Sequence, residues 1–390
     1  MERKPSVCFV LPSLTLGGAE LQAVTQVHAL KADGYDVSLA VLSNVIDNSL
    51  LEKFGLGKEN VLILDQPDNT PSFKVILKSE LFGYQVASFL KRKGVQVAIA
   101  NLPLAHFILR VTKLIAPLLG LKFRLINYHH SLQYQANPVN TLGKKVFYKL
   151  NLLLSKRTDD TNIFISKACF QDINEFIPAV NPVIIHNSVP FNPTSADLAV
   201  QYLRDNEIKS NYLIVVPGRI HPSKGHKFFT DAFKTFLAQN KIEDPGQVRV
   251  VFAGGRLLEE EVRQYIVDQG LSSFIHVTGN IENPLLLSFL KVADLVVIPS
   301  IHEGFGNIVI EALMQQALVL ASDAGGIPEI IRPDENGFMF KRLNAEELVS
   351  KLTQVYQGKL DVDRGMLLMD FQERFSFETH MSRLKEVIGG

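Results

Sequence analysis

The chain has 390 residues, 46% of them apolar, with 40 basic and 40 acidic side chains. That length exceeds one ordinary domain, so two are expected, and a net charge of zero excludes a partner selected by bulk charge. Cys8 and Cys169 are its only cysteines and stand in no metal-ligand spacing, which excludes a disulfide scaffold and points to a reducing compartment. The N-terminal "MERKPSVCFVLPS" holds an apolar run too short for a signal peptide. No stretch is read as reaching the roughly 18 apolar residues that span a bilayer; the longest candidate, 114–121, contains Pro117 and Gly120.

Short apolar runs at 7–11, 37–42, 61–64, 95–100, 124–127, 163–166 and 183–185 read as buried strands, with helical patterns between several of them. Residues 189–211 are polar, carry two prolines and read as a linker. The strand pattern then restarts at 212–217, 248–254, 274–279, 294–300 and 317–322. Strands alternating with helices imply parallel sheets covered on both faces, hence two doubly wound α/β domains.

The candidate site residues follow strands, where open α/β sheets bind ligands. After the first strand, Gly17 and Gly18 allow close backbone approach at a helix start. His129 and His130 follow the strand at 124–127. After the strand ending at Pro217, Arg219 and Lys224 place two cations suited to a diphosphate. After 294–300, "HEGFGNIVIEA" sets Glu303 in a loop and, with seven residues between, Glu311 in a helix with Asn307 as its expected N-cap. The amides of Phe305, Gly306, Asn307 and Ile308 then form an anion site, flanked by two carboxylates suited to accepting from sugar hydroxyls. "DVD" at 361–363 follows no strand and reads as solvated charge rather than a metal motif.

In chain order, "GGAE", "YHHS", "ISKACF", "IIHNSVP", "GRIHPSKG", "VFAGG" and "EGFGNIVIEA" with "AGGIPEII" resemble the retaining glycosyltransferases of family 4. Glu303 and Glu311 match that family's E-x7-E signature, and the resemblance spans almost the whole chain. It implies the GT-B fold: two Rossmann-like doubly wound domains facing each other across a cleft. The first, 1–195, would read the acceptor; the second, 196–372, would bind a nucleotide-sugar; a helix at about 373–390 would pack back on the first. Glu311 would hold the ribose hydroxyls and Glu303 the donor sugar. Arg219 and Lys224 would neutralise the departing diphosphate, with Gly17 and Gly18 approaching it. His129 would be the active-site histidine, and the turn at 278–281 a base contact. No cofactor and no metal are implied. The expected activity is transfer of a hexosyl or N-acetylhexosaminyl group, from a UDP-linked donor to a lipid-linked or lipopolysaccharide-type glycan. A sugar-nucleotide epimerase and a non-catalytic regulatory subunit of the same fold are the alternatives. The sequence departs from the family at Ser188, where glycine is common, and at Gln316 and Leu318, where glycine and proline are usual.

Residues 81–158 contain twelve cations and no acid. Lys144, Lys145, Lys149, Lys156 and Arg157 lie on an expected helix, with Lys145, Lys149 and Lys156 on one face and Leu150, Leu153 and Leu154 away from them. This pattern predicts contact with an anionic membrane surface, hence a peripheral protein on the cytoplasmic face. No nucleic-acid-binding motif accompanies the patch.

Overall fold

The computed structural model describes residues 4–15, 17–65, 73–136 and 139–390. The chain divides into two compact units: Met1–His186 with Met381–Gly390, and Asn187–His380.

The first unit contains β1 (Val7–Leu11), α1 (Gly18–Ala32), β2 (Val37–Val41), α2 (Asn48–Lys53), β3 (Val61–Ile63), α3 (Phe73–Arg92), β4 (Val97–Asn101), α4 (Leu102–Ile115), β5 (Arg124–His129), α5 (Gln133–Ala136), α6 (Leu142–Thr158), β6 (Thr161–Phe164), α7 (Lys167–Asn174) and β7 (Pro182–Ile184). Its strands run parallel in the order β3-β2-β1-β4-β5-β6-β7. β1, β2 and β4 are buried along their whole length, as near-continuous apolar runs require when helices cover both faces of a sheet. α4 is apolar nearly all round and buries Leu104, Phe107, Ile108 and Leu109. Here the expectation from sequence needs correction. The window Leu102–Leu119, with mean hydropathy 1.5, is long and apolar enough to cross a membrane. With 56% of it buried inside the protein, it packs as a core helix.

The second unit contains α8 (Asp197–Asp205), β8 (Leu213–Pro217), α9 (His226–Asn240), β9 (Arg249–Ala253), α10 (Glu259–Asp268), β10 (Ile275–Val277), α11 (Asn283–Val292), β11 (Leu295–Ile298), α12 (Asn307–Met314), β12 (Val319–Ser322), β13 (Phe338–Phe340), α13 (Ala345–Tyr356) and α14 (Arg364–Phe375). Its parallel order is β10-β9-β8-β11-β12-β13. Both sheets therefore reverse direction beside their first strand, between β1 and β4 and between β8 and β11. Each reversal opens a crevice at the strands' carboxyl ends.

All twelve expected strands are present, and β13 is additional. The linker region is partly helical: α8 docks on α11, where the Ser288 hydroxyl accepts from the Ala199 amide and donates to the Ser195 carbonyl. The unit boundary falls at 186/187 rather than 195/196, because Asn192 and Thr194 are bonded to Gln315. The second crossing falls at 380/381 rather than 372/373, because α14 packs on α12. Beyond it, the last part of α15 (Phe377–Gly389) belongs to the first unit. Arg124 donates to the Val387 and Ile388 carbonyls, and Lys385 pairs with Asp33 at 2.7 Å. Asp363 of the "DVD" stretch caps α14 by accepting from the Gly365 amide.

Candidate active site

The second unit gathers the motif residues at its switch point. The chain leaves β8 through Gly218 and Arg219, makes a short turn at Pro222–Lys224 and enters α9 through Gly225. The loop after β11 lies against that turn: the Ile301 amide donates to the Ser223 carbonyl at 2.7 Å. A Cβ on Gly225 would stand 2.0 Å from the Pro299 carbonyl oxygen, so only glycine permits this approach. The two loops are joined by charge as well. Lys224 Nζ lies 2.5 Å from Glu303 Oε2, and Ser300 donates to the same oxygen at 3.4 Å. Arg219 is exposed and forms no ion pair among the described residues.

The N-cap of α12 is Gly306, not Asn307. The chain turns there at φ 119°, and a Cβ would press on Val309, Ile327 and Ile330 at 3.3 Å. Asn307 is instead the first helical residue, and its Oδ1 accepts from Asn187 Nδ2 at 3.1 Å. Phe305 is buried with its ring 5.9 Å from that of Phe375, which anchors the loop and leaves only backbone to line a ligand. The helix start presents the amides of Asn307 and Ile308 and the positive end of its dipole, while the Val309 amide donates to the Gly306 carbonyl at 2.8 Å. One turn on, burial pushes the Glu311 carboxyl up to about 7. No donor bonds that carboxyl among the described residues.

Residues 202–366 match the family model described as Glycosyl transferases group 1. That match lies within the second unit and spans less than half of the chain. Curated relatives named for glycosyl transfer are similar to the chain as well. The uncharacterized glycosyltransferase MJ1178 of Methanocaldococcus jannaschii is 26% identical over 249 residues, 64% of this chain and 63% of that protein. Two other curated relatives are matched over 43% and 30% of their lengths, so the chain aligns with less than two thirds of each of these three. A longer match, 24% identical over 89% of this chain and 91% of the relative, is to the N-acetylgalactosamine-N,N'-diacetylbacillosaminyl-diphospho-undecaprenol 4-alpha-N-acetylgalactosaminyltransferase of Campylobacter jejuni. Among solved structures, Anabaena HepE in complex with UDP shares the fold, with a TM-score of 0.80 and 19% identity over 98% of this chain and 99% of that one.

In the first unit, Gly17 caps α1 and Gly18 begins it. No atom lies within 4 Å of a Cβ position on Gly18, so its backbone is open to approach. Glu20, which the sequence did not single out, folds back over Gly17, is buried and is held above the ordinary carboxylate range by that burial. The two histidines part ways. His129 is the last residue of β5 and points into the core. Its ring stacks on Phe164 at 4.7 Å and lies 4.4 Å from that of His106, while its Nε2 donates to Asn162 Oδ1 at 3.1 Å. Burial holds it neutral, with its pKa lowered to about 4. Its neighbours form a satisfied polar cluster, in which Arg110 grips Asp159 with two bonds at 2.7 and 2.8 Å and Asn151 with a third at 2.6 Å. His129 is thus buried, whereas His130 lies half-buried just past the strand end, bonded to Asn101 Oδ1 at 2.8 Å.

The expected basic helix is α6. Lys144, Lys145, Lys149, Lys156 and Arg157 are all exposed on it, while Phe147, Asn151 and Ser155 are buried. Leu153 was expected away from the lysines, but it is 58% exposed on their face together with Leu142 and Val146. These three apolar residues recur at helical spacing between the lysines and Arg157. α3 and α4, which pack against α6 and each other, add exposed Leu77, Leu81, Tyr84 and Leu114.

Proposed function

We propose that the protein is a retaining, metal-independent glycosyltransferase. It moves a hexosyl or N-acetylhexosaminyl group from a UDP-sugar to a lipid-linked or lipopolysaccharide-type glycan, at the inner face of the cytoplasmic membrane. One observation carries the reading: Arg219, the Lys224–Glu303 pair, the α12 start and Glu311 converge at one switch point of one sheet. The relatives named for glycosyl transfer and the HepE complex with UDP support donor and acceptor class.

In this reading, the bond between the sugar's anomeric carbon and the diphosphate oxygen breaks, and charge collects on the diphosphate. Arg219, Lys224 and the first-turn amides of α12 stabilise it; a single donor of this kind is worth about 3 kcal/mol of barrier. The acceptor oxygen bonds to the anomeric carbon on the face the leaving group vacates, and its proton passes to a diphosphate oxygen. Glu303, oriented by Lys224 and Ser300, accepts from donor-sugar hydroxyls, and Glu311 from the ribose.

A thermal-shift screen of nucleotide-sugars tests the donor. Binding to the folded state alone adds about 2.7 kcal/mol at a ligand concentration of 100 Kd. The expected product is a transferred sugar, not an epimerised donor, at a rate EDTA leaves unchanged. Lys224→Ala should lower kcat by about a hundredfold while the fold persists. Activity abolished by EDTA and restored by Mg²⁺ would overturn the metal-free mechanism.

A further inference from the structure

We infer that Arg256 is a further substrate-binding residue, gripping the donor's diphosphate beside Arg219; this rests on the donor reading above. The loops after β8, β9 and β10 are pressed together, backbone to backbone, at the carboxyl edge of the second sheet. Gly218 donates to the Ala253 carbonyl at 3.0 Å and Ile220 to the Gly255 carbonyl at 2.8 Å, so Arg219 is held between two bonds to the β9 loop. A Cβ on Gly254 would stand 2.3 Å from the Gly218 oxygen, and one on Gly255 would stand 2.6 Å from the Asn280 amide. The chain leaves this knot through Arg256, whose φ is 85°. An L side chain is disfavoured there, and such strain concentrates at functional sites.

The protein itself supplies no partner that would explain an arginine at this position. Arg256 is exposed, and among the described residues its guanidinium has no ion pair or hydrogen bond. Two of the three carboxylates that follow it are engaged, and Glu260 between them is exposed. Glu259, which lies against Gly255 and Gly279, is bonded by Arg263 at 2.8 and 3.1 Å, and Glu261 is paired with Lys227 at 2.5 Å. Lys224 is already neutralised by Glu303. Arg219 thus lies between the two backbone bonds and Arg256 one residue past the second, both exposed and without an ion pair among the described residues. A diphosphate offers oxygens to two planar guanidinium forks at once.

Calorimetry with UDP, GDP, ADP, uridine and inorganic pyrophosphate tests this on wild type, Arg256→Gly and Arg256→Lys. Arg256→Gly should weaken the favoured nucleoside diphosphate and pyrophosphate by about tenfold or more, the worth of a lost charge-assisted bond. It should leave uridine unchanged and should raise the melting temperature, since glycine accepts the positive φ. Arg256→Lys keeps charge and strain but loses the fork, so it should bind with intermediate affinity even if the glycine variant folds poorly. Unchanged diphosphate affinity in a folded Arg256→Gly would overturn the role of Arg256 while leaving the donor reading intact. A wild type that binds none of these probes would instead bring down the donor reading, and Arg256 with it.

Discussion

Glu311 sets two demands against each other. Its folded pKa of about 7 lies above the unfolded value of 4.5, so the folded chain holds an extra proton between those pH values. The stability from that proton is fully present below pH 4.5 and lost as pH rises through 7; at about 1.36 kcal/mol per unit this amounts to roughly 3–4 kcal/mol. Glu311→Gln should therefore raise the unfolding free energy at pH 8 by about that much and change little at pH 4, as read by denaturant titration at the two pH values. Nucleotide binding should respond in the opposite sense. A ribose donating two hydroxyls needs the carboxylate, so wild-type affinity for the nucleoside diphosphate should climb between pH 6 and 8, while the glutamine variant binds weakly and without that slope. A variant that binds as tightly as wild type would remove the ribose role. Glu303, Arg219 and Lys224 were legible in the sequence because each stands a fixed few residues past an unmistakable strand. The histidines were not. Residues 128–130 alternate across the sheet, and β5 runs two residues beyond its apolar run, so His129 still faces the core and His130 leaves it.

At the scale of elements, α12 ends on a residue that does not suit its conformation. Gln316 has φ 61°, the left-handed position where a helix commonly closes on glycine. Its exposed contact with Lys291, at 3.3 Å, offsets little of the strain. Gln316→Gly should therefore stabilise the second unit by about 1 kcal/mol, seen as a shift of the denaturation midpoint with unchanged slope. An unchanged or lowered midpoint would mean that the side chain contributes packing this geometry does not reveal. The elements that sequence reading missed share a cause. β13 has three residues, and its register is set by pairing with β12 rather than by its own apolar run. α8 mixes apolar and charged residues, exposes Leu198 and Val200 while it buries Ala199, and takes its place from a dock on α11. Most of the strands that were legible, such as β1, β2, β4, β8 and β11, are buried along their length, where burial forces a continuous apolar run.

At the scale of the molecule, zero net charge conceals a division: residues 1–190 carry 20 basic and 14 acidic side chains, and residues 191–390 carry 20 and 26. The excess of the first unit is concentrated on the helical layer formed by α3, α4 and α6, where apolar side chains are exposed among the cations. Leu118 is 84% exposed and Leu142 80%. A solvated basic face would have no use for them, whereas a membrane surface accepts both kinds of group. Each lysine or arginine near an anionic surface contributes about 1 kcal/mol, screened within a Debye length, and each inserted leucine about 1.5–3 kcal/mol independently of salt. Binding to vesicles should therefore have two separable parts. Co-sedimentation with anionic vesicles should exceed that with neutral ones, and high salt should weaken it without abolishing it. Reversal of Lys145, Lys149 and Lys156 to glutamate should remove the salt-sensitive part. Leu118→Ser with Leu142→Ser and Leu153→Ser should remove the salt-resistant part. Neither set should change the affinity for the nucleoside diphosphate, because the residues proposed to hold the donor, Arg219, Lys224, Glu303 and Glu311, belong to the other unit. Equal binding to neutral and anionic vesicles would show that charge has no part in docking. Binding lost entirely at high salt would show that the exposed leucines do not insert, leaving the basic face to grip an anionic acceptor in solution.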